Sequence, residues 1–447
     1  GRKRREKGKK GERRSNSMFK TLVNAFKIKD LRKKILWTLG LLILFRVGCA
    51  LVCPGFNLAD AMKDKTTGTS FFSLMNLLSG DALSNGSILA LGVSPYITAS
   101  IVIQLLTVAI PSLERLSKQG EDGRRKINFY TRICALVLAL AQAIGIVLSF
   151  KDKLDTRIDL PLWLIATGVV LILTAGGMFT VWLGEKITKL GIGNGMSLLI
   201  FVGILSSAGS GISSAISQVG ENIENLWMII IYLVALVLIF GLIVFIDSSE
   251  RRVGVKYAKQ IKGRKMYGGQ DTFIPIKLNA SGVMPIIFAT SLLTLPQLIM
   301  SIFWPESEAY YWYQTYMGTS SWVYIVLLAV LILAFAFFYA QITFDTDDIS
   351  RRMQQQGGFI PGIRPGKTTS DYLRKISKRI TLFGAVFLAF IALVPSLAFK
   401  AIDDATLATL INAFSTTGLM IIVSVALEFD KGLEAQMLMR NYKGFLN

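Results

Sequence analysis

The sequence has no histidine among its 447 residues and only three cysteines. Without histidine there is no Ser-His-Asp triad, no His-ligated zinc site and no haem held by a proximal histidine. Cys49, Cys53 and Cys134 lie inside apolar runs, with no other candidate ligands grouped around them. We therefore interpret them as small buried apolar residues and not as a disulfide framework or a metal site.

Charged residues are also scarce, at 17% of the chain, whereas 52% of the residues are hydrophobic. Soluble proteins average about 25% charged and roughly 45–50% apolar residues. Ten apolar segments approach the ~20 residues that cross a bilayer, which predicts an all-α membrane protein with ten transmembrane helices. The segments are Ile35–Val52, Ile88–Ile110, Ile133–Phe150, Pro161–Leu183, Gly195–Ile216, Leu226–Ile246, Leu278–Ile302, Trp322–Phe344, Ile380–Lys400 and Leu407–Leu427.

Ionisable side chains are almost absent from these segments. Arg46 is the one charged residue in the interior of a predicted span, and no acidic residue lies near a helix centre. Ion-coupled carriers and proton pumps place titratable or ion-liganding groups inside their spans. Intramembrane proteases need paired aspartates, serine with histidine, or a zinc motif. The sequence has none of these, which weighs against both classes.

The net charge of +20 is distributed unevenly across the predicted membrane. With a cytoplasmic N-terminus, the cytoplasmic segments hold 42 of the 49 Lys and Arg residues, and the outer segments hold 6 against 12 acidic residues. Short cytoplasmic loops carry an excess of Lys and Arg in membrane proteins. The asymmetry predicts that both termini are cytoplasmic.

Residues 1–17 carry nine basic and two acidic residues and show no apolar periodicity. We expect them to lie outside the fold. Two interpretations stay open: a non-native extension in front of Met18, or a basic arm that contacts anionic lipid or RNA.

Two glycine-rich segments imitate nucleotide-binding loops. In GIGNGM, Met196 takes the place of the third glycine of a dinucleotide fingerprint, and no βαβ pattern surrounds it. In GIRPGKT, the first glycine of a P-loop would fall on Pro361. The sequence therefore predicts no cofactor, and any energy source must come from a partner.

The second apolar segment begins GVSPYI, and Val93, Ile97 and Ile101 follow at i, i+4 and i+8 on one helical face. Pro95 can lie in the first turn, where its missing N–H costs nothing. From the residues alone, such a stripe is more often ordinary core than a functional surface.

Residues 68–80, GTSFFSLMNLLSG, are too few to span a bilayer and too apolar for an exposed loop. They predict a short helix tucked into the protein, because re-entrant elements are tolerated only inside a cavity. An interfacial helix lying flat on the outer leaflet is an equally good interpretation.

Two cytoplasmic loops, 247–277 and 345–379, are long and rich in charge. Attraction to lipid headgroups does not explain loops of ~30 residues with Gly and Pro turns and the apolar Phe359 and Ile360. Such loops are typical of a docking platform for a large partner.

These motifs together resemble the SecY/Sec61-alpha family, the channel subunits of Sec protein translocases. The matching segments are LGVSPYITASIVIQLLT, GEDGRRKINFYTR, WLGEKITKLGIGNGMSLLIF, GRKMYGGQ, GGFIPGIRPGKTT and LEAQMLMRNYKGFL. The resemblance extends from about Phe19 to Asn447 in family order and leaves out residues 1–17.

The resemblance implies two pseudo-symmetric five-helix halves, 18–216 and 217–447. It implies a protein-conducting channel, with no enzymatic activity, that passes unfolded secretory polypeptides across the bacterial cytoplasmic membrane and releases membrane helices laterally. Spans two and three would face spans seven and eight at the lateral gate. The implied sealing ring is Val93, Ile97, Ile200, Ile287 and Ile421. The implied plug is the 68–80 segment, with Phe71, Phe72, Leu74, Met75, Leu77 and Leu78.

The same resemblance implies several partners: SecE, SecG, the SecA ATPase, the ribosome, signal-peptide-bearing preproteins and membrane lipids. Energy would come from ATP hydrolysed by SecA, from chain elongation at the ribosome, or from the proton-motive force. The docking residues would be Arg251, Arg252, Lys256 and Arg364, and ribosomal RNA would be bound through its phosphates.

Two other function classes predict different behaviour. A secondary small-solute transporter would transport solute without a motor ATPase. A membrane-anchored RNA-binding scaffold is suggested only by the charge, and it needs base-stacking aromatics, which residues 1–17 do not contain.

Overall fold

The structure, a computed structural model, describes residues 26–56, 70–150, 161–219, 226–257, 260–262, 265–267, 272–279, 282, 284–304, 307–318, 321–401 and 416–443. The chain divides into two compact units. The first contains the described residues of Gly1–Ser214, Thr294–Gln314 and Ile421–Asn447, and the second contains those of Ala215–Leu293 and Thr315–Met420.

The described chain is mostly helical. Its helices are α1 (Lys29–Ala50), α2 (Ser70–Ser79), α3 (Ser94–Ala109), α4 (Pro111–Ser117), α5 (Glu121–Ser149), α6 (Leu162–Leu190), α7 (Gly195–Val219), α8 (Leu226–Asp247), α9 (Met284–Phe303), α10 (Glu308–Met317), α11 (Trp322–Thr343), α12 (Thr346–Gln355), α13 (Lys367–Ala401) and α14 (Thr416–Lys443). The strands are β1 (Glu250–Tyr257), β2 (Gln260–Lys262), β3 (Lys265–Tyr267), β4 (Thr272–Lys277) and β5 (Gly358–Phe359).

Each of the ten predicted apolar segments overlaps one of these helices. The boundaries differ where polar residues continue a helix, so α5 begins at Glu121 and α13 at Lys367, ahead of the apolar run. Helix α3 begins later than predicted, at Ser94, because the residues before it form turns. Pro95 lies in its first turn, as predicted.

Several described helices can cross a membrane by length and composition. Four stretches meet both conditions alone: Glu121–Ser149, Leu162–Leu190, Trp322–Gln355 and Lys367–Leu393. Helices α3 and α4 make a fifth if the pair, which is bent by 107°, counts as one span. Large apolar side chains such as Val137 and Leu171 are about 60% exposed on these helices. Lipid tails can cover such surfaces at no hydrophobic cost.

The core of the first unit lies between α2, α5, α6 and residues 83–91. Leu91, Ala139 and Leu173 are fully buried there. A Cβ on Gly177 of α6 would lie 3.8 Å from the Cβ of Ala139 on α5. Small residues at such a contact let two helix backbones approach closely, as is common in membrane helix pairs.

The second unit contains a small antiparallel sheet. Strand β1 pairs with β4 from Glu250 opposite Lys277 onwards, and its last residues pair with β5, Lys256 lying opposite Phe359. The buried side of the sheet packs on α12 and α13 in one cluster: Val253, Val255, Ile276, Met353, Ile360 and Leu373. We call β1, β4, β5, α12 and residues 358–379 the sheet domain.

The sheet domain adds a few short strands to the mostly helical fold that the sequence predicts, because both predicted docking loops contain regular structure. Burial along β1 alternates between exposed charged residues and the buried Val253 and Val255. The two-residue period is present in the sequence, but it is short and dominated by Arg and Lys. A run of so few apolar residues is easily read as a loop.

Candidate functional site

Two of the five predicted ring residues lie at the start of α3. Val93 immediately precedes the helix and is fully buried, while Ile97 is half-buried. The Ile97 amide donates to the Val93 carbonyl at 3.1 Å, so the residues are one helical turn apart. Ile101, in the next turn, is 4% exposed. The predicted β-branched stripe therefore occupies one face of α3.

The other three predicted ring residues lie on three different helices. Ile200 on α7 and Ile421 on α14 are buried and belong to the first unit. Ile287 on α9 is buried and belongs to the second unit. Five branched apolar side chains on helices could line a constriction, but they offer no group for covalent or acid–base chemistry.

The predicted plug segment forms helix α2. Met75 joins the core cluster of the first unit at 1% exposure, Leu78 is buried and Leu77 is half-buried. This packing favours the helix tucked into protein over the helix lying flat on the leaflet. Residues 68–69 and the side chains of Phe71, Phe72 and Leu74 lie outside the described part of the structure.

A polar network at the end of α2 was not anticipated from the sequence. Arg46 on α1 donates to the carbonyl of Gly80, 34 positions away, and to the hydroxyl of Ser206, 160 positions away. The signal was a lone arginine in an apolar segment, a feature that usually has a functional reason. Its partners could not be read from the sequence because neither is charged.

Three of the predicted docking residues lie on strand β1 and are exposed: Arg251, Arg252 and Lys256. The guanidinium of Arg252 lies 4.6 Å from the ring centroid of Phe273, and its Nη2 lies 2.7 Å from Glu250 Oε1. Stacking on an exposed aromatic ring orients the cation while leaving it accessible.

Arg364, the fourth docking residue, lies in the turn between β5 and α13 and is exposed. The Thr369 hydroxyl donates to the Arg364 carbonyl at 2.8 Å, and the Ser350 hydroxyl donates to the Gly366 carbonyl at 2.7 Å. Ile360, at the other end of the turn, is 5% exposed and packs in the sheet domain core. The backbone of the turn is therefore held in place, and the arginine projects from a fixed base.

Asp347 ties the two helices of the sheet domain together. Its carboxylate accepts from the Ser370 hydroxyl at 2.5 Å and from Arg374 Nη2 at 2.9 Å. The hydrogen bond from Ser370 and then the nearby charge of Arg374 hold the pKa of Asp347 below its ordinary value. This contact fixes α12 against α13 beneath the Arg364 turn.

The exposed cations of the sheet domain suit an anionic macromolecular partner. Guanidinium groups bind carboxylates and phosphates through charge-assisted hydrogen bonds. Within the part of the chain that the structure describes, no group of three His, Cys, Asp or Glu side chains could hold a metal ion. Cys49 and Cys53 are buried there, and Cys134 is only half-buried.

The sequence profile of the SecY family matches residues 87–429. The chain is 41% identical over 448 residues to a protein of Mycobacterium tuberculosis (strain ATCC 25618 / H37Rv), covering 96% of this chain and 100% of the relative. The chain belongs to the SecY family. A Streptomyces coelicolor protein is also 41% identical, over 443 residues, with the same coverage. Both relatives are named protein translocase subunit SecY, which confirms the resemblance seen in the motifs.

Solved structures show the same fold. A structure described as that of a protein conducting channel matches with a TM-score of 0.65 at 18% identity, over 91% of this chain and 92% of that chain. A second, described as concerning the plug domain of the SecY protein, matches at 0.63 and 18% identity with the same coverage. A third, canine Sec61 in a ribosome-channel complex from the endoplasmic reticulum, matches at 0.56 and 16% identity, again over 91% and 92%.

Proposed function

We propose that this chain is the pore-forming subunit of a protein-conducting channel. It passes unfolded secretory polypeptides across the bacterial cytoplasmic membrane and releases membrane-protein helices laterally into it. The observation that carries the proposal is the 41% identity, over the whole length of the relatives, to proteins named protein translocase subunit SecY.

The proposed layout has ten spans in two halves, 18–216 and 217–447, with both termini in the cytoplasm. It is supported by the overlap of every predicted apolar segment with a helix and by the 42 of 49 basic residues on one side. The positive-inside tendency then puts the sheet domain in the cytoplasm.

The proposed seal is the ring of Val93, Ile97, Ile200, Ile287 and Ile421. A constriction lined by apolar side chains excludes ions by dewetting, and it can still close around a moving chain. Its side chains carry no charge, so a passing peptide finds no strong place to bind. The position of all five residues on, or directly before, described helices supports the proposal.

The proposed lateral gate lies between spans two and three on one side and spans seven and eight on the other. The packing of each side supports it. Helices α3 and α5 pack against each other. Phe288 on α9 contacts α11, with ring centroids 5.8 Å from Phe335 and 4.8 Å from Tyr339. Each side can therefore move as a packed pair.

We propose that helix α2 is the plug that closes the outer funnel of the resting channel. Its burial in the first unit supports this, and so does the likeness to a structure described as concerning the plug domain of the SecY protein. An incoming polypeptide would displace it.

The sheet domain is the proposed docking site for the SecA ATPase and the ribosome. A structural relative was solved in a ribosome-channel complex. Exposed Arg251, Arg252, Lys256 and Arg364 can bind ribosomal RNA phosphates or acidic side chains of the motor. SecE and SecG are the proposed companion subunits in the membrane. Chemistry and energy come from these partners, and the chain itself has no enzymatic role.

The test is transport of a preprotein by the full chain in proteoliposomes with its companion subunits. We expect SecA and ATP together to make a signal-peptide-bearing preprotein resistant to added protease, and omission of either to abolish the protection. Uptake of small solutes without SecA, and no protection of preprotein, would contradict the proposal and favour a secondary transporter.

A further inference from the structure

Arg46 is the one charged residue in the interior of the predicted spans, and its guanidinium is directed at the end of helix α2. Its Nη1 donates to the Gly80 carbonyl at 3.2 Å, and its Nη2 donates to the Ser206 hydroxyl on α7. A charged side chain within an apolar membrane segment is energetically costly. Such residues therefore usually have a hydrogen-bonding partner and a function. The contact joins α1, α2 and α7, which belong to one compact unit.

The position that Arg46 contacts suits a cation. Gly80 follows the last residue of α2, where helix carbonyls lack partners and the helix dipole is negative. Gly80 has a positive φ of 68°, and a Cβ there would lie 2.5 Å from Arg46 Nη1 and 2.8 Å from the Gly203 Cα. Only glycine lets the arginine and α7 approach this closely.

The residues next to Gly80 are also held to α1 and α7. Asp81 accepts from the Ser210 hydroxyl at 2.5 Å and from Asn76 Nδ2 at 3.0 Å. Its φ of 64° is the one positive value at a non-glycine residue in the described part of the chain. The Cys49 thiol on α1 lies 3.8 Å from the Ser79 carbonyl. The C-terminal end of α2 is therefore fixed at several points within three residues.

We propose that Arg46 is the positioning residue that keeps the plug closed by holding its C-terminal end at Gly80, and that an entering polypeptide releases this end. This inference rests on the proposed role of α2 as a plug. Among the residues that the structure describes, the acceptors of Arg46 are a carbonyl and a hydroxyl, not a carboxylate. The contact is strong enough to bias the resting state and weak enough for a substrate to break.

The test uses the full chain with its companion subunits and replaces Arg46 by methionine, a long side chain without charge. Losing a charge-assisted hydrogen bond should shift the ratio of displaced to closed plug roughly ten- to hundred-fold. We expect the resting ion conductance in planar bilayers to rise accordingly. Arg46→Lys should restore part of the seal, because an ammonium can still reach the Gly80 carbonyl. Ile43→Met, at a 64% exposed position of the same helix, is the matched control and should conduct like the parent.

A second readout reports the position of the plug end itself. In a Ser79→Cys background, the native Cys49 allows an oxidant-driven crosslink between α1 and α2. We expect Arg46→Met to slow this crosslink about ten-fold, in line with a lost charge-assisted hydrogen bond. If Arg46→Met fails to accumulate in the membrane, Ser206→Ala removes one acceptor and should give a smaller change in the same direction.

The outcomes separate the two proposals. A parent channel that does not protect preprotein contradicts the proposed function. A parent that transports, with Arg46→Met or Ser206→Ala unchanged in both conductance and crosslinking, leaves the function intact and overturns the role of Arg46. Loss of folding without any effect of Arg46→Lys or Ser206→Ala also overturns it, because the arginine would then be purely structural.

Discussion

Single side chains of the sheet domain are expected to decide whether a motor can dock. Arg364 projects from a turn whose backbone is held by Thr369 and Ser350. Reversing its charge should remove the attraction to an acidic partner without disturbing the turn. We expect Arg364→Glu to lower SecA-dependent transport by at least ten-fold, about the effect of losing one charge-assisted contact, while membrane assembly stays normal. Lys189→Glu, an equal reversal at an exposed position of α6 outside the sheet domain, is the control. Normal transport by Arg364→Glu would remove Arg364 from the docking site.

The carboxylate of Asp347 gives the same domain a pH dependence. Ser370 and Arg374 lower its pKa in the folded chain. The contribution of Asp347 to stability is therefore complete above the unfolded pKa of about 3.9. This contribution is lost as the pH falls through the lower pKa that Asp347 has in the folded chain. We expect hydrogen exchange in α12 to be faster in Asp347→Asn than in the parent above about pH 4, and the difference to disappear at lower pH. Asp371→Asn, on the exposed face of α13, is the control. A difference that is the same at every pH would contradict the assignment.

The elements of the membrane region could be predicted from the sequence, whereas those of the sheet domain could not. Lipid demands long continuous apolar runs, and every such run overlaps a helix in the structure. Strand β1 contributes two buried residues, Val253 and Val255, to the core of the sheet domain. Its stability depends on Met353, Ile360 and Leu373, which lie about a hundred residues further along the chain. Contacts between residues so far apart in the sequence leave no local pattern from which the strand could be predicted.

Substitution of Leu373 therefore tests whether the sheet domain folds as one cooperative unit, since this side chain is fully buried between β1 and α12. Leu373→Ala should cost about 2–5 kcal/mol of local stability, because it removes packing and leaves a cavity. We expect faster proteolysis of residues 345–379 and weaker motor-dependent transport, with unchanged insertion of the spans. Tyr372→Ala, its 38% exposed neighbour, should change proteolysis little. Equal sensitivity of the two variants would show that the sheet does not act as a cooperative unit.

For the whole molecule, composition and loop order predict that most basic residues lie on one side of the membrane. The contacts that hold the interior together could not be predicted in this way. The sequence marks Arg46 as unusual, but Gly80 and Ser206 become its partners only when α1, α2 and α7 have packed. Burial of Val93, Ile200 and Ile421 similarly results from packing and does not distinguish a seal from ordinary core. Only a functional measurement on the intact channel can make that distinction.

That measurement is the resting ion leak of the ring variant Ile97→Gly with Ile200→Gly. Removing two branched side chains from an apolar constriction leaves a gap wide enough to wet, and a wet pore conducts. We expect the conductance of the closed channel in planar bilayers to rise several-fold above that of the parent. Glycine also weakens a helix, so the control is Ile144→Gly, which makes the same change at a 38% exposed position of α5. If the ring variant leaks no more than Ile144→Gly and the parent, the plug alone makes the seal. If both glycine variants leak equally, helix weakening is the cause, and the ring has no special role.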